Sequence, residues 1–133
     1  MKIILTVLFC LCVPLMGADK KPLTKEESAK VIEAAIRKSL KKPTGELTKA
    51  DLKKVRELYL VHDQLTDVKG LEKLTQLKCL YLNQNKLTDV KGLEKLDQLK
   101  VLFLDGNPAL TKAQIDQLQK ALPNCKINSN PKK

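Results

Sequence analysis

The sequence is poor in the residues on which most enzyme sites depend. Its 133 residues include one histidine, five glycines and no tryptophan. His62 has no cysteine, serine or carboxylate partner that the sequence pattern brings near it, and the possible metal ligands do not cluster. The glycines at Gly70, Gly92 and Gly106 fall singly in turns, so there is no glycine-rich phosphate loop. We therefore expect no enzyme activity, no cofactor and no metal site, and a solvated His62.

Long apolar runs are also scarce, and the one that opens the chain is short. It extends from Ile3 to Met16, 14 residues, whereas a membrane-spanning helix needs roughly 20. A lysine precedes the run and the small residues Gly17 and Ala18 follow it, which is typical of a secretory signal peptide over residues 1–18. We expect cleavage and a secreted or periplasmic mature protein with no transmembrane span. An uncleaved anchor is the alternative, because Met16 is larger than the residue usually found near such a cut.

Acidic residues are few relative to basic ones. The chain has 25 lysines and arginines against 15 aspartates and glutamates, a formal net charge of +10. The basic residues are dispersed as single residues and pairs without a long basic block. An anionic partner such as a lipid headgroup or an acidic polysaccharide is compatible with this charge, but net charge bears first on solubility and association rate. We favour a solvated surface and do not expect nucleic acid to be a partner.

One 22-residue block is written twice in succession over residues 65–108, and the copies agree at 16 of 22 positions. In each copy the large apolar residues first recur at every third position, which suits a tight 3₁₀-like or extended path. They then recur two apart, at Leu80 and Leu82 and again at Leu102 and Leu104, the period of a strand with one buried face. Each copy is therefore predicted to be a coil, and stacked coils bury one apolar column behind a parallel sheet.

The strand halves of the copies, LKCLYLNQN and LKVLFLDGN, resemble the LxxLxLxxN pattern of leucine-rich repeats. The 22-residue length with an LTDVKGLEKL segment is similar to the short repeats of bacterial internalins. The resemblance implies an α/β leucine-rich-repeat solenoid with a short parallel sheet on its concave side and helical caps at both ends. It also implies that Asn85 and Asn107 form a structural ladder that hydrogen-bonds the backbone of neighbouring coils. Asp63 holds that place one coil earlier but cannot donate, which puts the first rung in question.

We expect a single leucine-rich-repeat domain over residues 19–133. Its predicted parts are an N-terminal cap helix (24–42), a divergent repeat (47–64), two regular repeats (65–86 and 87–108) and a C-terminal cap (109–127). The divergent repeat keeps its strand leucines, but Lys49 stands where the regular repeats have leucine. Such a change is expected in a coil that meets a cap on one side.

Both predicted caps begin with a capping box, in which a threonine precedes a glutamate or glutamine by three residues. The boxes pair Thr24 with Glu27 and Thr111 with Gln114. The apolar stripe of the N-terminal helix, at three-and-four spacing, consists of Ala29, Ile32, Ala35, Ile36 and Leu40. We expect this helix to cover the open end of the first coil; a helix on a membrane surface is the alternative.

A last short strand is predicted after the closing helix. Cys125 and Ile127 fall at strand spacing, like Leu102 and Leu104 with one residue inserted. This register points the side chain of Cys125 into the core.

Two of the four cysteines, Cys10 and Cys12, lie in the predicted signal peptide. Cys79 should point outward and Cys125 inward, with a separation of about two strand spacings, roughly 9–10 Å. A disulfide permits a Cα separation of only about 7 Å, so we predict no bridge between them. Cys79 is then either an exposed thiol that joins two copies of the protein or a partly covered small apolar residue, and we favour the second.

The outward-facing strand residues form the candidate binding surface. Strand alternation sends Tyr59, Tyr81 and Phe103 to the face opposite the leucines, in one row. The residues Arg56, Lys78 and Lys100 form a basic column beside it. The predicted partner-binding residues are Tyr59, Val61, Lys78, Tyr81, Asn83, Lys100, Phe103 and Asp105.

An exposed aromatic row suits recognition of a protein, a peptide or a glycan, because aromatic rings offer large contact area for little lost side-chain freedom. The alternative is a structural or weakly self-associating cell-envelope protein in which the row only stabilises the sheet, at roughly 0.2–1 kcal/mol for each cross-strand pair. The face covers only a few hundred Å², below the roughly 800 Å² per partner of a standard interface. We therefore expect a small ligand or a weak partner.

Overall fold

The computed structural model describes residues 21–129, and the predicted signal peptide lies outside them. The helices are α1 (Lys25–Leu40), α2 (Lys49–Leu52) and α3 (Lys112–Ala121). The strands are β1 (Glu57–Tyr59), β2 (Cys79–Tyr81), β3 (Val101–Phe103) and β4 (Lys126–Asn128). All four strands are parallel, in the order β1-β2-β3-β4. The predicted α/β leucine-rich-repeat solenoid with a short parallel sheet and a helix at each end is confirmed.

The register of the first three strands follows the sequence repeat. Leu58 lies opposite Leu80, and Leu80 lies opposite Leu102, so each strand is displaced from the next by one copy of the repeat. The last strand departs from this spacing, since Leu102 pairs with Ile127. Our prediction that Cys125 would match Leu102 was therefore wrong by two residues. The helix α3 and the turn after it make the connection from β3 to β4 longer than one repeat. Cys125 is buried just before β4.

The convex segments of the regular repeats are 3₁₀ turns, as the three-residue spacing predicts. They span Leu71–Lys73 and Leu93–Lys95. Gly70 and Gly92 precede them, both with φ of 105°, a backbone conformation that residues other than glycine rarely adopt. In the divergent repeat the same place is taken by the single α-helical turn of α2. The convex half of a coil thus changes where the coil meets the cap.

The apolar positions of the two regular repeats form the core. All of them are at most 5% exposed. They are Leu65, Val68, Leu71, Leu74, Leu77, Leu80, Leu82, Leu87, Val90, Leu93, Leu96, Leu99, Leu102 and Leu104. At about 1.5–3 kcal/mol for each buried leucine or valine side chain, this column is the main source of stability.

The helix α1 covers the first coil. Its capping box is present, with the Glu27 backbone N–H donating to the Thr24 hydroxyl at 3.1 Å and the Thr24 N–H donating to the Glu27 carboxylate at 2.8 Å. The helix ends at Leu40, two residues before the predicted boundary, because Lys41 adopts a left-handed conformation with φ of 56°. Ile32 and Ile36 are buried as predicted.

The buried face of α1 differs from the predicted stripe by one position at its start. Ala29 is exposed, whereas Ser28 is fully buried. The Ser28 hydroxyl accepts a hydrogen bond from the Thr66 N–H at 3.1 Å. The Thr66 hydroxyl in turn donates to the carbonyl of Leu23 at 2.8 Å. A polar contact with the first regular repeat therefore determines how the helix begins to dock.

Asn85 and Asn107 connect successive coils. The Asn85 amide nitrogen donates to the carbonyls of Leu60 and Leu82, at 2.6 and 3.0 Å. Its oxygen accepts from the N–H groups of Asp63 and Leu65, at 2.9 and 3.1 Å. Asn107 repeats the arrangement one coil later, donating to the carbonyl of Leu82 at 3.0 Å and to that of Leu104 at 2.8 Å. Both asparagines are buried, so these amides satisfy backbone groups that water cannot reach.

The C-terminal end is closed by α3. Its capping box joins the Gln114 N–H to the Thr111 hydroxyl at 3.2 Å, and Leu118 and Leu122 are buried. Within residues 21–129 no helix combines the length and the apolar character that crossing a membrane requires.

Candidate functional site

The row of aromatic side chains on the outward face of the sheet is a stack. The ring centroids of Tyr59 and Tyr81 are 4.4 Å apart with an angle of 10° between the planes, and those of Tyr81 and Phe103 are 4.8 Å apart at 7°. The register brings these residues side by side, because Tyr59 is opposite Tyr81 and Tyr81 is opposite Phe103. The aromatic row therefore comprises three nearly parallel rings, one on each of β1 to β3.

Stacking decides which parts of the rings a partner can touch. Tyr81 lies between its two neighbours, so both of its ring faces are covered and its edge faces solvent. Tyr59 ends the row and is 61% exposed, whereas Tyr81 and Phe103 are half-buried. A partner meets ring edges along most of the row, and an exposed ring face at Tyr59, because Phe103 has Asn128 of β4 beside it.

The phenol of Tyr59 is held by its neighbour on the same strand. The Tyr59 hydroxyl donates a hydrogen bond to a carboxylate oxygen of Glu57 at 3.1 Å. This hydrogen bond, together with the negative charge of Glu57, raises the pKa of Tyr59 to about 12. The hydrogen bond holds the phenol near the carboxylate on the same strand.

Two further rows flank the aromatic row. One consists of Glu57, Cys79 and Val101, and the structure extends it to Lys126 on β4. The other follows the strands and consists of Val61, Asn83 and Asp105. Val61 is 36% exposed, whereas Asn83 and Asp105 are half-buried. The Asn83 carbonyl accepts the N–H of His62 at 3.3 Å, so this row is tied to the backbone ladder.

The basic column lies where the chain enters the strands. The Lys78 N–H donates to the carbonyl of Arg56 at 2.7 Å, and the Lys100 N–H donates to that of Lys78 at the same distance. The Lys78 side chain is half-buried and its Nζ donates to Gln98 at 3.3 Å, while Lys100 is exposed. Of the two predicted lysines Lys100 is therefore the freer, and the strand register aligns Tyr59, Tyr81 and Phe103. That the eight predicted residues form one binding surface stays a prediction.

A groove beside Tyr59 was not predicted from the sequence. It has a volume of about 550 Å³ and lies between α1 and β1, lined by Ala35, Lys38 and Ser39 on the helix and by residues 56–59 on the strand. The helix residues come from an amphipathic segment that the sequence identifies only as a cap. The groove arises from how that cap docks on the first strand, for which the sequence has no periodic pattern.

Both described cysteines are free thiols in the structure. Cys79 is half-buried within the outward face, and Cys125 is buried. Burial raises the pKa of the Cys125 thiol to about 11, with a smaller contribution from Cys79. Cys125 is therefore protonated at neutral pH and is a poor nucleophile.

His62 lies in a turn at the surface of the first coil. His62 is exposed and has φ of 62°, so it serves as the left-handed residue of a turn. Among residues 21–129 there is no group of three or more histidines, cysteines and carboxylates that could hold a metal ion.

The stacked coils, the asparagine ladder and the capped ends define a leucine-rich-repeat protein. A family profile for leucine-rich repeats (two copies) matches residues 53–95 and 75–124, and together these matches span more than half of the chain. The chain belongs to the leucine-rich-repeat family. Folds of this family typically serve as protein-interaction modules without catalytic activity.

Solved structures of two internalins from Listeria monocytogenes are similar to this chain. Internalin C2 has 28% sequence identity and a TM-score of 0.63, and the match covers 73% of this chain and 42% of that one. The internalin InlF has 20% identity and a TM-score of 0.53, with coverage of 74% and 35%, and this likeness supports the fold alone. The chain thus spans less than half the length of either internalin. A comparison with curated proteins found no match.

Proposed function

We propose that this chain is a non-catalytic module that binds a protein or peptide partner through the outward face of its sheet. The observation that carries the proposal is the aromatic row, which places Tyr59, Tyr81 and Phe103 on the solvent side while the leucines fill the interior. Exposed apolar area edged by polar and charged side chains is typical of interaction sites. The residues Lys78 and Lys100 would steer an acidic partner towards it.

The stacking geometry favours a protein or peptide over a glycan. A sugar ring packs best against a free aromatic face, and neither face of Tyr81 is free. Ring edges and the flanking residues Val61, Asn83 and Asp105 instead suit contact with side chains and backbone. The apolar segment that opens the chain supports the further proposal that the mature protein is secreted or periplasmic.

A structural or self-associating role is the second candidate, and the same stack favours it. Aromatic pairs at these distances contribute about 0.5–1.5 kcal/mol beyond the area that they bury. The row therefore stabilises a small sheet whether or not it binds anything. In this second role the outward face or Cys79 would join copies of the protein.

A capture experiment separates the two candidates. The mature chain, residues 19–133, is immobilised and exposed to extract of its native culture, beside the double variant Tyr81→Ala/Phe103→Ala. We expect the variant to lose capture while its free energy of unfolding falls by no more than about 1–3 kcal/mol. The matched control, Lys69→Ala/Lys91→Ala, changes equivalent exposed positions on the convex side and should capture normally.

The outcome that contradicts the binding role is normal capture by a folded double variant. Loss of folding in that variant would instead support the structural role, and the milder Tyr81→Leu/Phe103→Leu pair then tests binding with apolar packing retained. Sedimentation at several concentrations, with and without reductant, reports self-association and the part that Cys79 plays in it.

A further inference from the structure

Within residues 21–129, strand β1 forms one edge of the sheet. The N–H of Leu60 donates to the carbonyl of Tyr81 at 2.8 Å, and the Cys79 N–H donates to the carbonyl of Arg56 at 3.1 Å. Along a parallel strand, the backbone N–H and carbonyl groups of successive residues point alternately to one side and to the other. The groups of Arg56 and Leu60 point to β2, so the backbone groups of Glu57 and Tyr59 point away from it. Among residues 21–129 no hydrogen bond reaches these outward N–H and carbonyl groups.

The opposite edge, on β4, is covered in part. The side-chain amide of Gln119 in α3 donates to the carbonyl of Cys125 at 2.8 Å and to that of Leu122 at 3.0 Å. Because Cys125 directly precedes β4, this amide occupies the start of that edge. The C-terminal cap thus covers part of its sheet edge, and the N-terminal cap leaves β1 accessible. An unpaired edge is a template for strand addition.

The groove between α1 and β1 runs beside the open edge. Its 550 Å³ lie within the range of roughly 300–1,000 Å³ that is usual for ligand sites. Ala35 supplies an apolar lining, and Lys38 and Arg56 supply two cations. The one carboxylate in the lining, Glu57, already accepts the hydrogen bond from Tyr59.

We propose that strand β1 binds an extended acidic peptide segment of a partner protein as an added strand within this groove. The outward backbone groups of Glu57 and Tyr59 would pair with the peptide backbone, which is how strand addition gains affinity. Lys38 and Arg56 select carboxylates on the peptide, because opposite charges across an interface favour the correct partner. The free face of the Tyr59 ring packs against a peptide side chain. This site is separate from the proposed binding of a partner along the aromatic row, apart from the shared Tyr59.

The experiment uses an acetylated, amidated hexapeptide of alternating valine and glutamate, titrated into ¹⁵N-labelled mature protein. We expect saturable shifts of the amide signals of Glu57 and Tyr59. The valine–lysine peptide and the variant Lys38→Glu/Arg56→Glu should each weaken binding by roughly tenfold or more. Lys69→Glu/Lys91→Glu makes the same change in net charge on the convex side and should bind within about twofold of the unchanged protein.

Backbone pairing is tested with two N-methylated forms of the acidic peptide, one methylated at each alternate set of residues. Only the set that faces β1 donates to the strand, so one form should lose binding and the other should keep it. Equal binding by both forms, equal loss in both, or no saturable shift at Glu57 and Tyr59 would overturn the proposal. So would shifts at these amides that depend on protein concentration without peptide, since a second copy would then occupy the edge. The folded Tyr81→Ala/Phe103→Ala variant should keep the peptide, which distinguishes this site from the aromatic row.

Discussion

The divergent first coil, residues 47–64, has the same strand as the two regular repeats but a different convex segment. In all three coils a leucine of the strand points inward, and an aromatic residue points outward. The convex turn differs, being α-helical in the first coil and 3₁₀ in the other two. The strand positions contact a neighbouring coil in every case, whereas the convex half of the first coil lies at the end of the array. The strand therefore keeps the repeat pattern even in the first coil, and only the convex half changes there.

A second comparison between successive coils concerns their left-handed corner. His62, Gln84 and Gly106 occupy equivalent places in successive coils, with φ of 62°, 60° and 81°. Only the last is glycine, and a Cβ added there would lie 2.8 Å from the side chain of Gln84 and 3.0 Å from its backbone. A left-handed corner alone thus tolerates a side chain, and glycine is required at position 106 because Gln84 lies too close for a Cβ there.

The largest expected effect compares the ladder residue of a regular repeat with that of the first coil. Asn85→Ala leaves buried carbonyl and N–H groups of two coils without partners, and we expect it to cost about 3 kcal/mol of the free energy of unfolding. Asp63→Asn, at the same place of the first coil, keeps the size of the side chain and its hydrogen-bonding capacity, so it should cost less than about 1 kcal/mol of that free energy. Urea unfolding with an unchanged m value measures both. A comparable loss in Asp63→Asn would mean that the first rung already joins the cap to the array.

The second comparison concerns the left-handed corner. Gly106→Ala combines a strained backbone with the contact against Gln84, and we expect a loss of about 2 kcal/mol. His62→Gly relieves the strain at an exposed corner and loses backbone entropy, so its effect should stay within about 1 kcal/mol. Thermal unfolding followed by circular dichroism measures the difference. Equal effects at the two sites would contradict the role given to the preceding coil.

The third comparison is between the middle and the end of the aromatic row. Tyr81→Ala removes two stacked pairs and Tyr59→Ala removes one, so the first should destabilise the fold by about 1 kcal/mol more than the second. The order of their effects on partner capture should be reversed if the free face of Tyr59 is the main contact. Paired unfolding and capture measurements on the two variants show whether stability and binding depend on the same rings.

The smallest expected effect is a pH dependence of the stability that arises in the first coil. The hydrogen bond from Lys42 and that from the Thr48 backbone lower the pKa of Asp51 from 3.8 to about 2. Because the pKa is lower in the folded state, the stabilisation is complete above pH 3.8 and is lost as the pH falls towards 2. Asp51→Asn should therefore flatten the change of melting temperature between pH 4 and 2. The effect is small because the Lys42 partner is 36% exposed and solvent screens the pair, and an unchanged slope would show that Asp51 contributes nothing to it.

The sequence predicts the parts of the fold that repeat. The repeat period suffices to identify the buried leucines, the 3₁₀ turns and the outward placement of Tyr59, Tyr81 and Phe103. It does not predict the ring stacking, because the side-chain torsions that make the rings parallel leave no trace in the spacing. It also does not predict which outward backbone groups stay unpaired, since that depends on where each cap stops.

The errors lie where a cap meets the array. Ser28 is buried in place of Ala29 because its hydroxyl bonds to Thr66, a tertiary contact between residues 38 positions apart. The strand β4 is displaced from the expected register because α3 and its turn set the length of the connection. Both features arise at the caps, from a contact and a connection that each occur once in the chain. A periodic pattern cannot encode a contact that has no second copy.

The constant register of β1, β2 and β3 has a consequence for how such a chain can change length. One repeat block carries its own strand, convex turn, ladder amide and aromatic ring, and it presents the same surfaces to the blocks before and after it. A duplication of the segment 65–86 would therefore insert a further rung and a further ring, lengthening the sheet by about 4.8 Å. The two ends would be unaltered, so the length of the outward face can grow in whole steps without redesign of the interior.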